Sequence, residues 1–261
     1  ALDAEEQVAP IEIIHVPSGD FVMGSEAGNL DERPAHKVTI ERPFWIASKE
    51  ITNAQYAEFD PTHDSRLEHG DFLQFDERER GFPLNTPDQP VTRVSWDEAS
   101  RFCRWLSERT GKKFRLPTEA EWEYACRSGS ESPYCFGDSY TELSYYAWFA
   151  YNTIDKSEGY AHKTEAKRPN AWGLHDMHGN VEEWCNDWYH HLYYAQSPLD
   201  DPAGPSTFAL DRICRGGWWQ LERGELRSGS RTHYPPTSSE YYRGFRVVLE
   251  LNDAKNPGTD K

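Results

Sequence analysis

The chain has 261 residues, of which 28 are basic and 44 acidic, for a formal charge of −16. That balance argues against a nucleic-acid partner, whose binders present basic surface, and no apolar run is long enough to span a bilayer. Hydrophobic residues make up only 37%, so ten Trp and fourteen Tyr must supply much of the core.

In chain order, residues 1–9 are polar and expected to be flexible. Residues 11–16 read as a strand, Pro17-Ser18-Gly19-Asp20 as a turn, and residues 21–23 as a second strand. Residues 38–40 and 44–46 read as short strands around Glu41-Arg42-Pro43. Three helices share one opening device. Thr52-x-x-Gln55, Ser95-x-x-Glu98 and Thr118-x-x-Glu121 are capping boxes, each followed by an apolar-periodic run. In the second, Trp96, Ala99, Phe102, Cys103 and Leu106 share a face and Gly111 is the stop; the third ends near Gly129. Cys103 and Cys126 therefore fall on core faces, where cysteine acts as a small hydrophobe.

Residues 60–90 are charged and aperiodic, too long for a structureless loop in a compact domain, and read as an ordered surface excursion; residues 130–168 look similar. Residues 200–205 form a loop, and Ile213, the Trp218-Trp219 pair and residues 245–249 read as closing strands. Residues 252–261 read as a flexible tail. No repeat or linker divides the chain, so one α+β domain over residues 10–250 is expected. The five cysteines, at 103, 126, 135, 185 and 214, are odd in number and too sparse to build the fold. No Cys-x-x-Cys marks a zinc site. The chain opens at Ala1 without a Met, consistent with a removed leader, and export to the periplasm or the exterior is expected.

Residues 169–189, PNAWGLHDMHGNVEEWCNDWY, concentrate turn formers, carboxylates and indoles. Asn170, Gly173, Gly179 and Asn180 tolerate unusual backbone angles. Asp176 and Glu183 flank a His-Gly-Asn turn with free carbonyls between them, the oxygen mixture that calcium takes on a bent backbone. The same residues describe equally well a surface turn with Asp176 in an Asx-turn, and the spacing is not that of an EF-hand. His175 and His178 fit a structural role better than a transition-metal site. No G-x-S-x-G elbow and no H-E-x-x-H pair occurs.

The stretch G-L-x-D-M-x-G-N-V-x-E-W resembles the signature of the formylglycine-generating enzyme, or sulfatase-modifying factor, family. Other stretches agree. They are Val22-Met23-Gly24-Ser25 with Glu32-Arg33-Pro34, Glu50-Ile51-Thr52-Asn53 with Gln55-Tyr56, the highly specific Arg115-Leu116-Pro117-Thr118-Glu119-Ala120-Glu121-Trp122-Glu123, and the closing Arg215-Gly216-Gly217 and Gly244-Phe245-Arg246. The resemblance runs from Phe21 to Val248 and implies a variant of the C-type-lectin-like fold. It also implies a structural calcium ion at Asp176, Glu183 and the carbonyls of Gly179 and Val181. At a second family calcium position, near Trp148, Glu158 and Tyr160, Trp148 replaces a ligating Asn.

Members of the family oxidise a substrate cysteine to formylglycine with copper(I) held by two cysteines after the R-G-G motif, soft ligands for a soft ion. Residues 215–231 contain no cysteine. Leu221 stands about where the first belongs, and Cys214 lies before the glycines. Trp218 stands where the family prefers Ser, and Glu182 where Trp is usual. Neither copper nor formylglycine formation is expected. The replacing residues, Trp218, Trp219, Gln220, Glu222, Arg223, Glu225, Arg227, Arg231 and His233 with Glu182 nearby, describe either a ligand pocket of aromatic walls and charges or a solvated surface with ordinary ion pairs. Arg246 is read as an ion-pair partner. Cys103 and Cys126 match positions that form disulfides in vertebrate relatives, but Val247 and roughly Ser228 stand at the partner positions, so both are expected as buried free thiols. Two functions follow from the resemblance: an oxidative tailoring protein of the pyoverdine-maturation type, or a lectin-like module binding a small molecule, carbohydrate or peptide.

Overall fold

The computed structural model describes residues 10–66, 85–156, 158–207 and 209–250. The expected flexible ends, residues 1–9 and 252–261, and residues 67–84 of the expected excursion lie outside the described residues. The strands in chain order are β1 (Ile13–Val16), β2 (Gly19–Met23), β3 (His36–Ile40), β4 (Phe44–Ala47), β5 (Lys113–Arg115), β6 (Glu182–Trp188), β7 (Arg212–Arg215), β8 (Thr232–Tyr234), β9 (Arg243–Gly244) and β10 (Val248–Glu250). The helices are α1 (Asn53–Ala57), α2 (Trp96–Thr110), α3 (Glu119–Arg127) and α4 (Leu143–Tyr146).

Among the described residues the strands form three sheets: β1-β4-β10-β5, the β2-β3 ribbon, and β8-β7-β6-β9. Neighbours run antiparallel except β6 and β9, which are parallel. The 170–183 turn leads into β6 of this last sheet, and the R-G-G motif leaves its β7.

All three capping boxes form. Thr52, Ser95 and Thr118 each accept from the backbone N–H three residues on, and the Gln55, Glu98 and Glu121 side chains return the bond. Gly111 ends α2 in the left-handed conformation, φ 66°. α3 stops at Ser128, one residue before the expected Gly129. Trp122 and Trp184 are fully buried, and their indole N–H groups donate to Glu183 and to the Val94 carbonyl, so each buries its rings without stranding a donor.

The strand reading needs correction in three places. Gly19 and Asp20 belong to β2 rather than to a turn. Trp218 and Trp219 lie in a turn, and residues 245–247 make no ladder; only residues 248–250 do. The reason for the second is Gly216 and Gly217, whose φ values of 93° and 70° take the chain out of β7. Cys103 and Cys126 are buried and unbridged, as expected, and burial pushes both thiols up to about 12. Cys126 Sγ lies 3.5 Å from Ser228 Oγ. Cys135, Cys185 and Cys214 are also free.

Candidate functional site

The turn before β6 is wound tightly. Asp176 (φ 59°) and Asn180 (φ 68°) are left-handed, a conformation their short polar side chains tolerate. A Cβ on Gly179 would lie 2.2 Å from the Trp148 carbonyl oxygen, so only glycine permits that approach. The winding buries three carboxylates together. Glu183 is saturated, because Arg246 donates to both of its oxygens at 2.6 Å and Trp122 adds a bond of 2.8 Å. Asp176 Oδ2 accepts from Glu165 N at 2.8 Å and Glu50 Oε1 from Asn180 Nδ2 at 3.1 Å. The remaining oxygens, Asp176 Oδ1 and Glu50 Oε2, are buried without a hydrogen-bond partner.

Three carboxylates thus face one guanidinium. Burial, followed by the charges of Asp176 and Glu183, holds the Glu50 carboxyl well above its ordinary range, and burial raises Asp176. Orphaned buried oxygens of this kind call for a proton or a cation. The donor set is hard oxygen, which suits calcium. The fit differs from the expected set in one respect: the open partner of Asp176 is Glu50, whereas Glu183 is filled by Arg246. Among the described residues no three His, Cys, Asp or Glu side chains surround one metal position, so a cation here would have to complete its shell with carbonyls and water.

Asn180 links this acidic centre to a pit. Its side chain bonds Glu50 and the His162 backbone, and its carbonyl accepts from Trp219 N at 3.1 Å. Thr153 Oγ1 donates to the Trp219 carbonyl at 2.6 Å. Trp219 is thereby fixed edge-on to Trp218, with ring centroids 5.3 Å apart, while Trp218 stacks on Tyr242 at 4.1 Å. Trp219, Tyr241 and Tyr160 form the apolar wall of the pit, and Asn53, Ser65, Asn85, Gln89 and Thr92 form its polar wall, with Arg66 at the edge. The pit encloses about 30 Å3, room for roughly two waters. It adjoins a hollow of about 280 Å3 through Asn53 and Asn85, and that hollow adjoins one of about 520 Å3 through Asp60 and His63. The whole is a groove ending in a narrow aromatic pit.

Behind Tyr160 the rings continue. His162 lies between Tyr160 (4.3 Å) and Trp148 (3.7 Å), and the Lys167 ammonium sits 3.7 Å over Trp148. Glu158 Oε2 lies 3.3 Å from His162 Nε2. Stacked rings and a cation thus occupy the surroundings of Trp148, Glu158 and Tyr160.

Of the residues singled out after the R-G-G motif, only Trp219 lines the pit. Trp218 backs it. Gln220, Glu222, Arg223 and Glu225 are exposed, with Arg223 over the Tyr140 ring at 4.3 Å. Arg227 is bidentate to Glu32 and Arg231 to Glu119. Glu182 is buried beside Arg243 and accepts from Thr232 Oγ1, its pKa raised by burial. His233 Nδ1 lies 2.6 Å from Asp211. Sequence reasoning missed Glu50 and the polar wall. Asn53 and Glu50 sit in a quoted motif, which was the available signal; Ser65, Gln89 and Thr92 carried none.

The sulfatase-modifying factor enzyme 1-like domain family matches residues 2–251. The formylglycine-generating enzyme of Streptomyces coelicolor is 32% identical over 290 residues, which cover 92% of this chain and 89% of that protein. Among solved structures, PvdO from Pseudomonas aeruginosa superimposes with a TM-score of 0.79 at 29% identity, over 92% of this chain and 94% of that one. Treponema denticola variable protein 1 does so with a TM-score of 0.77 at 23% identity, over 93% and 97%, a likeness of fold. The architecture is the C-type-lectin-like one.

Proposed function

The chain belongs to the sulfatase-modifying factor family, and from that footing we propose that it is a member that does not make formylglycine and takes a ligand or substrate in the Trp219 pit. One observation carries the reading: the described residues lining the pit include no thiol. Cys185 and Cys214 are fully buried, and burial holds both thiols well above their ordinary range, which disfavours the thiolate that copper(I) needs.

The pit is too narrow for a whole ligand and suits one flat group slid between Trp219 and Tyr160, with the remainder lying along the groove. Oxidative tailoring of the pyoverdine-maturation type is the enzymatic form of this reading, supported by the likeness to PvdO. A binding module is the second reading. Its support is that Asn53, Ser65, Asn85, Gln89 and Thr92 offer hydrogen bonds without an acid or base that titrates near neutral pH.

We further propose that a calcium ion at Glu50 and Asp176, with the Gly179 and Val181 carbonyls, balances the surplus charge and, through Asn180, holds Trp219 in place. Its role is structural. The functional test is aerobic incubation of the protein, with and without copper(I), with a sulfatase-type cysteine peptide, read by mass spectrometry. No aldehyde and no stoichiometric copper are expected; turnover with one bound copper would refute the reading.

A further inference from the structure

On the side of Asn180 away from Glu50 lies the second family calcium position, near Trp148, Glu158 and Tyr160. The residues present there do not fit an ion. Trp148 offers a ring and a buried N–H where a carboxamide oxygen is needed. Its carbonyl already accepts from Asn180 N at 3.0 Å. The Glu158 carbonyl accepts from Tyr160 N at 2.9 Å, and the Tyr160 carbonyl lies 3.0 Å from His162 Nδ1. The Glu158 carboxylate is 49% exposed and turned to His162 Nε2. Calcium takes roughly six to eight oxygens, and this set does not offer them.

A positive charge is already in place. Lys167 Nζ sits 3.7 Å over the Trp148 ring centroid and donates to the Ser144 carbonyl at 2.8 Å. The backbone on either side of it is fixed: the Lys167 carbonyl lies 2.9 Å from His175 Nδ1, and Arg168 N donates to the Tyr145 carbonyl at 2.8 Å. Lys167 is partly buried, and among the described residues its ammonium contacts a ring and a carbonyl rather than a carboxylate. Desolvating an ammonium in this way costs free energy. The ring face offsets part of that cost. Charge at longer range offsets more: burial lowers the Lys167 pKa, whereas Asp176 and then Glu158 raise it. The ammonium thus serves carboxylates that a second dication would otherwise serve.

We propose that the Lys167 ammonium replaces the ion at this position, so that the chain takes at most one calcium and the Trp148 side of the turn is held without metal. Lys167 is then a positioning residue for the pit, acting through Trp148 on Asn180, whose carbonyl accepts from Trp219 N. The proposal stands apart from the calcium reading at Glu50 and Asp176, which concerns the other side of Asn180.

The test has two parts, both on the whole protein stripped of metal. The first is calorimetric titration with calcium chloride. Wild type should bind one ion, lost in Glu50→Gln and kept in Glu158→Gln. No ion at all would contradict only the Glu50 reading and agrees with this one; two ions, or loss of the ion in Glu158→Gln, overturns it. The second part is hydrogen exchange of the Asn180 amide in chelator. Lys167→Met should speed that exchange roughly fivefold, the worth of about 1 kcal/mol of cation–π contact. Lys167→Arg keeps a cation over the ring and should exchange as wild type does. Wild-type exchange in Lys167→Met, or equal exchange in the Met and Arg variants, overturns the proposal.

Discussion

Two buried charge centres, both built on Arg and Glu, are resolved in opposite ways. Around α3, two carboxylates meet three guanidiniums. Arg231 is bidentate to Glu119, Arg215 and Arg127 both reach Glu123, and Arg215 also donates to the Ser228 and Ser230 carbonyls. Around the 176–183 turn, three carboxylates meet Arg246 alone and two oxygens are orphaned. The first centre pairs its carboxylates with guanidiniums, leaving only Arg215 Nε among their charged atoms without a hydrogen bond, and is a structural clamp. The second leaves two carboxylate oxygens without a partner, one residue away from the pit, where a proton or a cation would balance them. Buried charge that is paired serves the fold; buried charge left unbalanced is where a site is to be sought.

Breaking the balanced centre should produce the largest effect. Arg215→Met leaves Glu123 Oε2 without its guanidinium, with Arg127 still holding Oε1, and should cost about 3–5 kcal/mol in urea unfolding. Next to that centre, outside its ion pairs, lies a further buried carboxyl, Asp187, which accepts from Glu119 N and is pushed up to about 8 by burial and then by Glu119. A folded pKa raised above its ordinary value means that the protonated form stabilises the fold. Its contribution is complete at low pH and is lost as pH rises toward 8. Stability should therefore fall between pH 5 and pH 8 by on the order of a few kcal/mol, and Asp187→Asn should flatten that slope; an unchanged slope in the variant would assign the titration elsewhere. In the unbalanced centre the sign reverses. Glu50→Gln removes a carboxyl whose ionisation is opposed by burial and by two neighbouring carboxylates, and should stabilise the calcium-free protein by about 1 kcal/mol, where most buried polar substitutions destabilise.

The sequence showed this contrast unevenly. Capping boxes were legible because Thr52, Ser95 and Thr118 act on backbone only three residues away. Asp176 was legible as a turn carboxylate. Its partner Glu50 was not, since it lies 130 positions before Asn180, the residue that brings it in. β6 escaped because Glu182, Glu183 and Asp187 are buried, which erases the polar–apolar alternation that marks a half-buried strand. The charged run after the R-G-G motif suggested a pocket by composition. The backbone at Gly216 and Gly217 instead admits Trp219 and leaves the next charges in solvent or in ion pairs with Glu32 and Glu119. The polar wall comes from the start of α1 and two separate loop segments, and no local pattern announces such a wall.

Thermal melts of the wild type and Glu50→Gln in calcium and in chelator at neutral pH test the difference between the two centres most directly. Calcium should raise the wild-type melting temperature, since an ion that binds only the folded state adds stability by mass action, and the rise should be absent in Glu50→Gln. Identical wild-type melts in calcium and in chelator would contradict a cation at Glu50 and Asp176.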